Sequence, residues 1–287
     1  MMQYYVKAHK TSIFENNRLP QLIYIANTED MKEYLPRMLH KHDDHLEIVF
    51  VVKGEGIHFI GGKKYHTKAG DILIFNPNVL HDETAQMDSN MEVYCCGISQ
   101  LYIKGMEPNH LFNTKEAAVI FSGEQQEIIH KILDIMFFHI KTSRQNANEL
   151  CHYLLSSLLS ILVELPKNHQ RNFNIEKQTI MNKVRSYLEQ NFTQTLSLEE
   201  IAERFKISPF YLSRLFKEEI GFSPIQYLNR LRIGAAQSLL METNLPITQI
   251  AIDVGYENIT YFSTFFSKMT GVTPTLYRDL WIGKTLL

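Results

Sequence analysis

The residue types best suited to chemistry come early in the chain, as His40-x-His42-x4-Glu47, with His81 following after Gly70-Asp71 and Pro77. Alternate residues on a strand face the same side, so His40 and His42 project together, and His81 could join them from a later strand. Imidazoles with a carboxylate suit zinc, iron, nickel or manganese. They equally suit hydrogen bonding to a polyol or an acid, or they serve only to hold loops at the mouth of a barrel. Concave barrel mouths are common ligand sites, so small-molecule contacts are the reading adopted here, with no metal and no cofactor assigned. His58 and Tyr94 join His40, His42, Glu47 and His81 as candidate ligand contacts.

Strands must position these groups. Residues 46–52 form an apolar and β-branched run interrupted only by Glu47. Residues 56–60 and 63–67 flank Gly61-Gly62, which supplies the positive φ angles of a hairpin turn. Residues 71–75, stopped at Asn76-Pro77-Asn78, and residues 91–98 read as further strands. Many short strands between residues 22 and 103, punctuated by Gly and Pro, predict a sandwich or barrel. Residues 124–141 and 147–164 carry apolar side chains at helical spacing, from Ile128 to Phe137 and from Leu150 to Val163. Both stripes are wide for helices lying on one barrel, which leaves either an intramolecular core or a dimer interface. A polar stretch from Pro166 to Gln178 breaks the pattern and reads as a linker.

A second constellation follows, because the chain writes one pattern twice. Ile201-Ala202 matches Ile250-Ala251 at an offset of 49, and Phe216, Gly221, Pro224 and Tyr227 match Phe266, Gly271, Pro274 and Tyr277 at an offset of 50. The extra residue falls where Lys206-Ile207 is replaced by Gly255-Tyr256-Glu257, an insertion that a turn tolerates and a helix does not. Such a period marks duplicated supersecondary units, and two helix-turn-helix units in one domain can read DNA. Residues 178–192 open this region with a helix. Ser197 with Glu200 forms a capping box, Ser208 caps the next helix with Pro209 in its first turn, and Gly221 ends it. Ser223 and Pro224 start a long helix running to Met241, and Glu257 or Asn258 caps the second reader. Leu212, Leu215 and Phe216 face inward, as do Phe262, Phe265 and Phe266. Phe210, Ser213, Arg214 and Lys217 are left outside, with Ile259, Thr260, Ser263 and Thr264 in the second copy.

Composition bounds these readings. The chain has 287 residues and a formal charge of −2, and from residue 175 onward it carries 12 Lys and Arg against 11 Asp and Glu. With so little positive charge, DNA affinity should be modest and salt-sensitive. Three cysteines, two of them adjacent, give neither a disulfide framework nor a zinc spacing, which points to a reducing cytoplasm. The first thirty residues lack the pattern of a signal peptide, and the longest nearly apolar run, 154–163, is too short to cross a bilayer. Neither a Gly-rich phosphate loop nor a nucleophile motif supports an enzyme.

The doubled unit resembles the C-terminal domain of AraC/XylS-type bacterial transcription regulators. The first copy carries Ile201-Ala202, Ser208, Leu212-Ser213-Arg214, Phe216-Lys217, Gly221 and Ser223-Pro224. The second carries Gly255-Tyr256-Glu257-Asn258, Tyr261-Phe262-Ser263, Phe265-Phe266, Gly271, Thr273-Pro274 and Tyr277-Arg278. The His40, His42 and Glu47 spacing, with Gly54, resembles a cupin barrel, which with a helix pair is similar to that family's effector-binding and dimerisation domain. The resemblance implies an α+β chain: a cupin-like barrel with a helix pair at 1–165, a linker at 166–177 and a double helix-turn-helix domain at 178–287. It implies that both reader helices enter the major groove, about one DNA turn apart. Phe210, Ser213 and Arg214 would then face bases, Lys217 would lie near phosphate, and Ile259, Thr260, Ser263 and Thr264 would read the second site. Arg214 is the sharpest reader, since Arg paired with guanine discriminates by ~1–3 kcal/mol. Thr264 and Ser267 depart from the pattern, which commonly has Arg and Lys there. Promoter DNA, RNA polymerase, a second copy of the chain and a small effector, a carbohydrate or other polar metabolite, are the implied partners, with no membrane. The alternatives are a metal-dependent cupin enzyme fused to a DNA-binding domain, and an effector-independent regulator controlled by a protein partner.

Overall fold

A computed structural model describes residues 3–5, 12–28, 37–82, 91–113, 118–165 and 180–285. The linker expected at 166–177 lies outside the described residues. Seven strands come first: β1 (Gln21–Asn27), β2 (Leu46–Lys53), β3 (Glu55–Ile60), β4 (Lys63–Lys68), β5 (Asp71–Phe75), β6 (Glu92–Ser99) and β7 (Val119–Phe121). Helices follow: α1 (Gln126–Lys141), α2 (Ala147–Glu164), α3 (Ile180–Asn191), α4 (Leu198–Arg204), α5 (Pro209–Ile220), α6 (Pro224–Glu242), α7 (Ile247–Asp253), α8 (Ile259–Thr270) and α9 (Pro274–Thr285).

The N-terminal half is sheet-rich, as expected, but the described residues do not close it into a barrel. Five strands pair antiparallel in the order β1-β6-β2-β5-β7, and β3 and β4 form a separate hairpin. Gly54, at φ 82, turns the chain out of β2, so β3 leaves the sheet and pairs with β4. His81 links the hairpin to the preceding segment, through isolated bridges to Ile60 of β3 and to His40. Ile60 and Tyr65 of the hairpin pack over Val49, Val51, Leu73 and Phe75 on one face of the sheet. The other face, with Leu46, Ile48, Phe50 and Ile98, packs on Leu133, Met136, Leu155 and Leu159 of α1 and α2. Strand β2 is thus buried on both faces, which is why it reads as a nearly continuous apolar run. The stripes on α1 and α2 exceed what this sheet covers, since Ile128, Ile135, Phe138 and Tyr153 remain exposed.

The C-terminal half is all helix. Ser197 with Glu200 and Ser223 with Gln226 form capping boxes at α4 and α6, and Ser208 caps α5 ahead of Pro209. Helix α6 is buried on most sides, because two helical cores share it. Its first half packs with α3, α4 and α5, and its second half with α7, α8 and α9. The first core also takes in Leu39 and Phe59 of the N-terminal half, with Leu80 packed against it, and the second takes in Met38.

Candidate DNA interface and buried polar site

The two reader helices are presented by matching turns. In the first unit Lys206 adopts φ 56 and the Ile207 N–H donates to the Ala202 carbonyl at 3.0 Å. In the second Gly255 adopts φ 91 and the Tyr256 N–H donates to the Ala251 carbonyl at 2.8 Å. The extra residue, Glu257, follows this turn, and Asn258 is the cap, accepting from the Tyr261 N–H at 2.9 Å. Each reader ends at a left-handed glycine, Gly221 or Gly271, where an L side chain is disfavoured.

Leu212 and Phe216 fix the inner face of α5, as Phe262 and Phe266 fix that of α8. Leu215 and Phe265 are half-buried beside them. Arg214, Lys217, Thr260 and Thr264 are exposed, and Ser213 and Ser263 half-buried. Phe210 is 78% exposed and Ile259 38%, so neither is held in a core. Thr264 donates its hydroxyl to the Thr260 carbonyl at 2.9 Å, which occupies its only hydrogen. Tyr211 and Tyr261 are also exposed, at an offset of 50, and extend the outward stripes beyond the residues expected there. Their signal was the repeat itself, which sets a large aromatic beside each outward stripe. Helix α6 has 19 residues, about 28 Å at roughly 1.5 Å per residue, against about 34 Å for one turn of DNA.

The polar site is built around Glu47, on the β2 face that the hairpin covers. Its carboxylate is buried and engaged on both oxygens. Oε1 accepts from the Tyr24 hydroxyl and the Cys95 thiol, each at 2.7 Å. Oε2 is hydrogen-bonded to Nε2 of His81 at 2.9 Å and of His42 at 3.2 Å. His40 donates from Nδ1 to the Met38 carbonyl at 2.8 Å, and His81 from Nδ1 to the Val79 carbonyl at 2.9 Å. These bonds fix two rings with Nε2 turned inward, and Phe75 stacks on His81 at 3.9 Å. One ligand atom from each of His40, His42, Glu47 and His81 lies within 4.8 Å of the others. Burial alone would raise the Glu47 pKa, but the bonds and charge of His42 and His81 outweigh it and hold the carboxyl well below the usual range. Burial, then the Arg37 charge, pushes His40 well below the ordinary histidine value.

Two of these contacts were not foreseen. Tyr24, Gly97 and Glu47 stand opposite one another on β1, β6 and β2. A Cβ at Gly97 would fall on the Tyr24 ring, so only glycine lets that ring cross β6 to Glu47. Tyr94 is not part of the set. Strand alternation turns it to the opposite face, where its hydroxyl donates to Asp134 of α1 at 3.1 Å. Its neighbour Cys95 is the residue that meets Glu47. Tyr94 packs near His130, which borders an open depression of ≈ 380 Å³ lined with Phe50, Val52, Glu124, Gln126 and Glu127. His58 is buried in the hairpin and hydrogen-bonded through Nδ1 to the Thr67 hydroxyl at 2.8 Å. Burial, with a contribution from the His81 charge, pulls it down to about 4.

Two helix-turn-helix units with outward-facing readers, behind a sheet-rich half with a buried polar cluster, define a DNA-binding transcriptional regulator with a ligand-binding domain. Residues 19–159 match the AraC-like ligand binding domain and residues 201–279 a helix-turn-helix domain. The chain is 26% identical to the uncharacterized HTH-type transcriptional regulator YdiP of Escherichia coli K12, over 93% of this chain and 88% of that protein. It is 25% identical to the HTH-type transcriptional activator RhaR of an Enterobacter species, over 94% of this chain and 95% of that one. The C-terminal domain of AraT, a response regulator from Geobacillus stearothermophilus, is 44% identical over 36% of this chain and 86% of its own, with a TM-score of 0.35. The chain belongs to the AraC family of DNA-binding transcriptional regulators. Among the described residues no helix is long and apolar enough to cross a membrane.

Proposed function

We propose that the protein binds promoter DNA sequence-specifically as a homodimer, under control of a small polar effector, and acts there on RNA polymerase. The outward stripe of Phe210, Ser213, Arg214 and Lys217, with its counterpart Ile259, Thr260, Ser263 and Thr264, supports the DNA contact; all but the half-buried Ser213 and Ser263 are exposed. The contact of both helical cores with the N-terminal half carries the regulatory reading. Met38 and Leu39 fill those cores two residues and one residue before His40 of the polar site. A ligand that binds the two arrangements of the halves unequally would shift their equilibrium. The buried imidazoles and carboxylate support a polar effector, a carbohydrate or a similar metabolite, and the exposed Ile128, Ile135, Phe138 and Tyr153 support self-association through α1 and α2. Dimerisation would raise DNA affinity through effective concentration, which a nearly neutral DNA-binding half needs.

The test is a thermal-shift screen against sugars, organic acids and metal ions, followed by gel shifts on upstream DNA with each hit. An effector bound only by the folded protein raises apparent stability and should change DNA affinity. Stabilising hits that all leave DNA binding unchanged would overturn effector control. A chain that stays monomeric when bound to DNA would overturn the dimer.

A further inference from the structure

The hairpin of β3 and β4 reaches the first reader helix. Phe59 and Lys64 stand opposite each other across it, on one face. Phe59 is buried in the first helical core, its ring 5.8 Å from that of Phe222 and 6.1 Å from that of Tyr227. At the hairpin turn the Arg185 guanidinium of α3 donates to the Gly61 carbonyl at 3.4 Å. Asp82 accepts from the Phe59 N–H at 2.8 Å and pairs with Arg230 of α6 at 3.8 Å. These contacts seat the hairpin where α5 passes into α6, and they leave Lys64 exposed there.

A missing side chain makes room for this lysine. Its Cε and Nζ fill the space where a Cβ on Gly221 would stand, and its ammonium lies 5.7 Å from the centroid of the Phe222 ring. Phe210, Arg214, Lys217 and Gly221 follow one another at intervals of four, three and four residues, so they fall along one side of α5, the outward one. By the same spacing Glu219 falls about half a turn away from that line. The Lys64 ammonium is thus next in line after Arg214 and Lys217, although it comes from the other half of the chain. The repeat supplies a comparison. Gly271 ends α8 in the same left-handed conformation, and no atom of the described residues comes within 4 Å of a Cβ placed on it. One reader ends against a lysine of the N-terminal half, and its twin ends open.

We propose that Lys64 is a DNA contact supplied by the N-terminal half, binding a backbone phosphate at the edge of the groove that α5 enters. From residue 175 onward the chain has 12 Lys and Arg against 11 Asp and Glu, so one more ammonium in line with the first reader is a large share of its electrostatic grip. The contact exists only while the hairpin stays docked, which links phosphate binding to the arrangement of the two halves. The proposal rests on the reading of α5 as a DNA reader.

The test uses full-length protein and a duplex that the natural protein selects from a random-sequence library, with affinity measured over a series of salt concentrations. Lys64→Met keeps an apolar stem over Gly221 and removes the charge. It should reduce the slope of log affinity against log salt by about one, weakening binding roughly five- to tenfold at ~0.1 M salt. Ethylation interference should lose one phosphate beside the α5 site, and Lys64→Arg should restore both results. Lys68→Met removes an exposed lysine about 13 Å further along the same face of β4 and should leave the slope unchanged. An unchanged slope in Lys64→Met, whatever its affinity, or a loss that Lys64→Arg does not restore, would make Lys64 a packing residue and overturn the contact. Equal slope changes in Lys64→Met and Lys68→Met would overturn it in favour of a diffuse charge effect. A natural protein that selects no duplex would instead overturn the reading of α5 as a DNA reader.

Discussion

The carbonyl oxygen of Leu39 occupies the space where a side chain on Gly234 would begin, in the buried middle of α6. Glycine inside a helix costs ~0.5–1 kcal/mol relative to alanine, so the contact is held against local helix propensity. Gly234→Ala should therefore act with opposite signs in two settings. In a fragment of residues 178–287 it should stabilise by about 0.5–1 kcal/mol. In the full chain it should lift residues 38 and 39, removing the Met38–Gln237 hydrogen bond and exposing Leu39, a loss of about 2–4 kcal/mol of interdomain contact. Urea unfolding of both forms checks this. Stabilisation in both would mean the contact is not made in solution.

The readers should contribute unequally. Arg214 is exposed and able to pair with a guanine, while the Thr264 hydroxyl already donates to Thr260. Arg214→Ala should weaken specific binding by about 1–3 kcal/mol, roughly five- to 150-fold, and relax preference at one base pair. Thr264→Ala should change affinity only a few-fold. Gel-shift titration at fixed salt measures both, and the reverse order would refute the asymmetry.

Local signals carried most of this architecture. The caps at Ser197, Ser208 and Ser223, the Gly61-Gly62 hairpin and the matched pairs of the repeat all depend on neighbours within a few residues, and each appears in the fold. The convergence of His40, His42, Glu47 and His81 was also legible, because strand alternation and one return of the chain suffice for it. Tyr24 and Cys95 were not, since they reach Glu47 only through the strand order β1-β6-β2, a pairing of distant segments. The choice of Tyr94 shows how narrow the margin is, because one step along β6 exchanges the polar-site face for the helix face. The short strands suggested a sandwich or barrel and the His40, His42 and Glu47 spacing resembled a cupin barrel, but neither signal says that the expected β3–β4 hairpin stands apart from the five-stranded sheet.

His58 makes stability fall as the solution becomes acidic. Its folded pKa lies at about 4, below the ordinary 6.5, because it is buried. The unfolded chain therefore takes up this proton first. The stability it contributes is complete above about pH 6.5 and is lost as pH falls toward 4, on the order of 3 kcal/mol in all. His40, also pushed down by burial and then by Arg37, acts in the same sense. Denaturation midpoints of natural protein and His58→Gln at pH 7.5 and pH 5 should show a smaller acid loss in the variant. An equal loss in both would remove His58 as a source.

The turn before each reader helix offers a paired test. Lys206 and Gly255 occupy equivalent left-handed positions, at φ 56 and φ 91. A non-glycine residue there is strained by about 1–2 kcal/mol, partly offset by the lower entropy its unfolded form has to lose. Lys206→Gly should accordingly stabilise the first unit by up to ~1 kcal/mol. Gly255→Ala meets the same strain and a second obstacle, because its Cβ would approach the Thr193 carbonyl oxygen to 2.6 Å. It should destabilise the second unit by at least ~1–2 kcal/mol and shift the segment joining α3 to α4. Thermal denaturation of the two variants decides the matter. Opposite signs are expected, and a shared sign would mean that the two turns are not equivalent despite their matching hydrogen bonds.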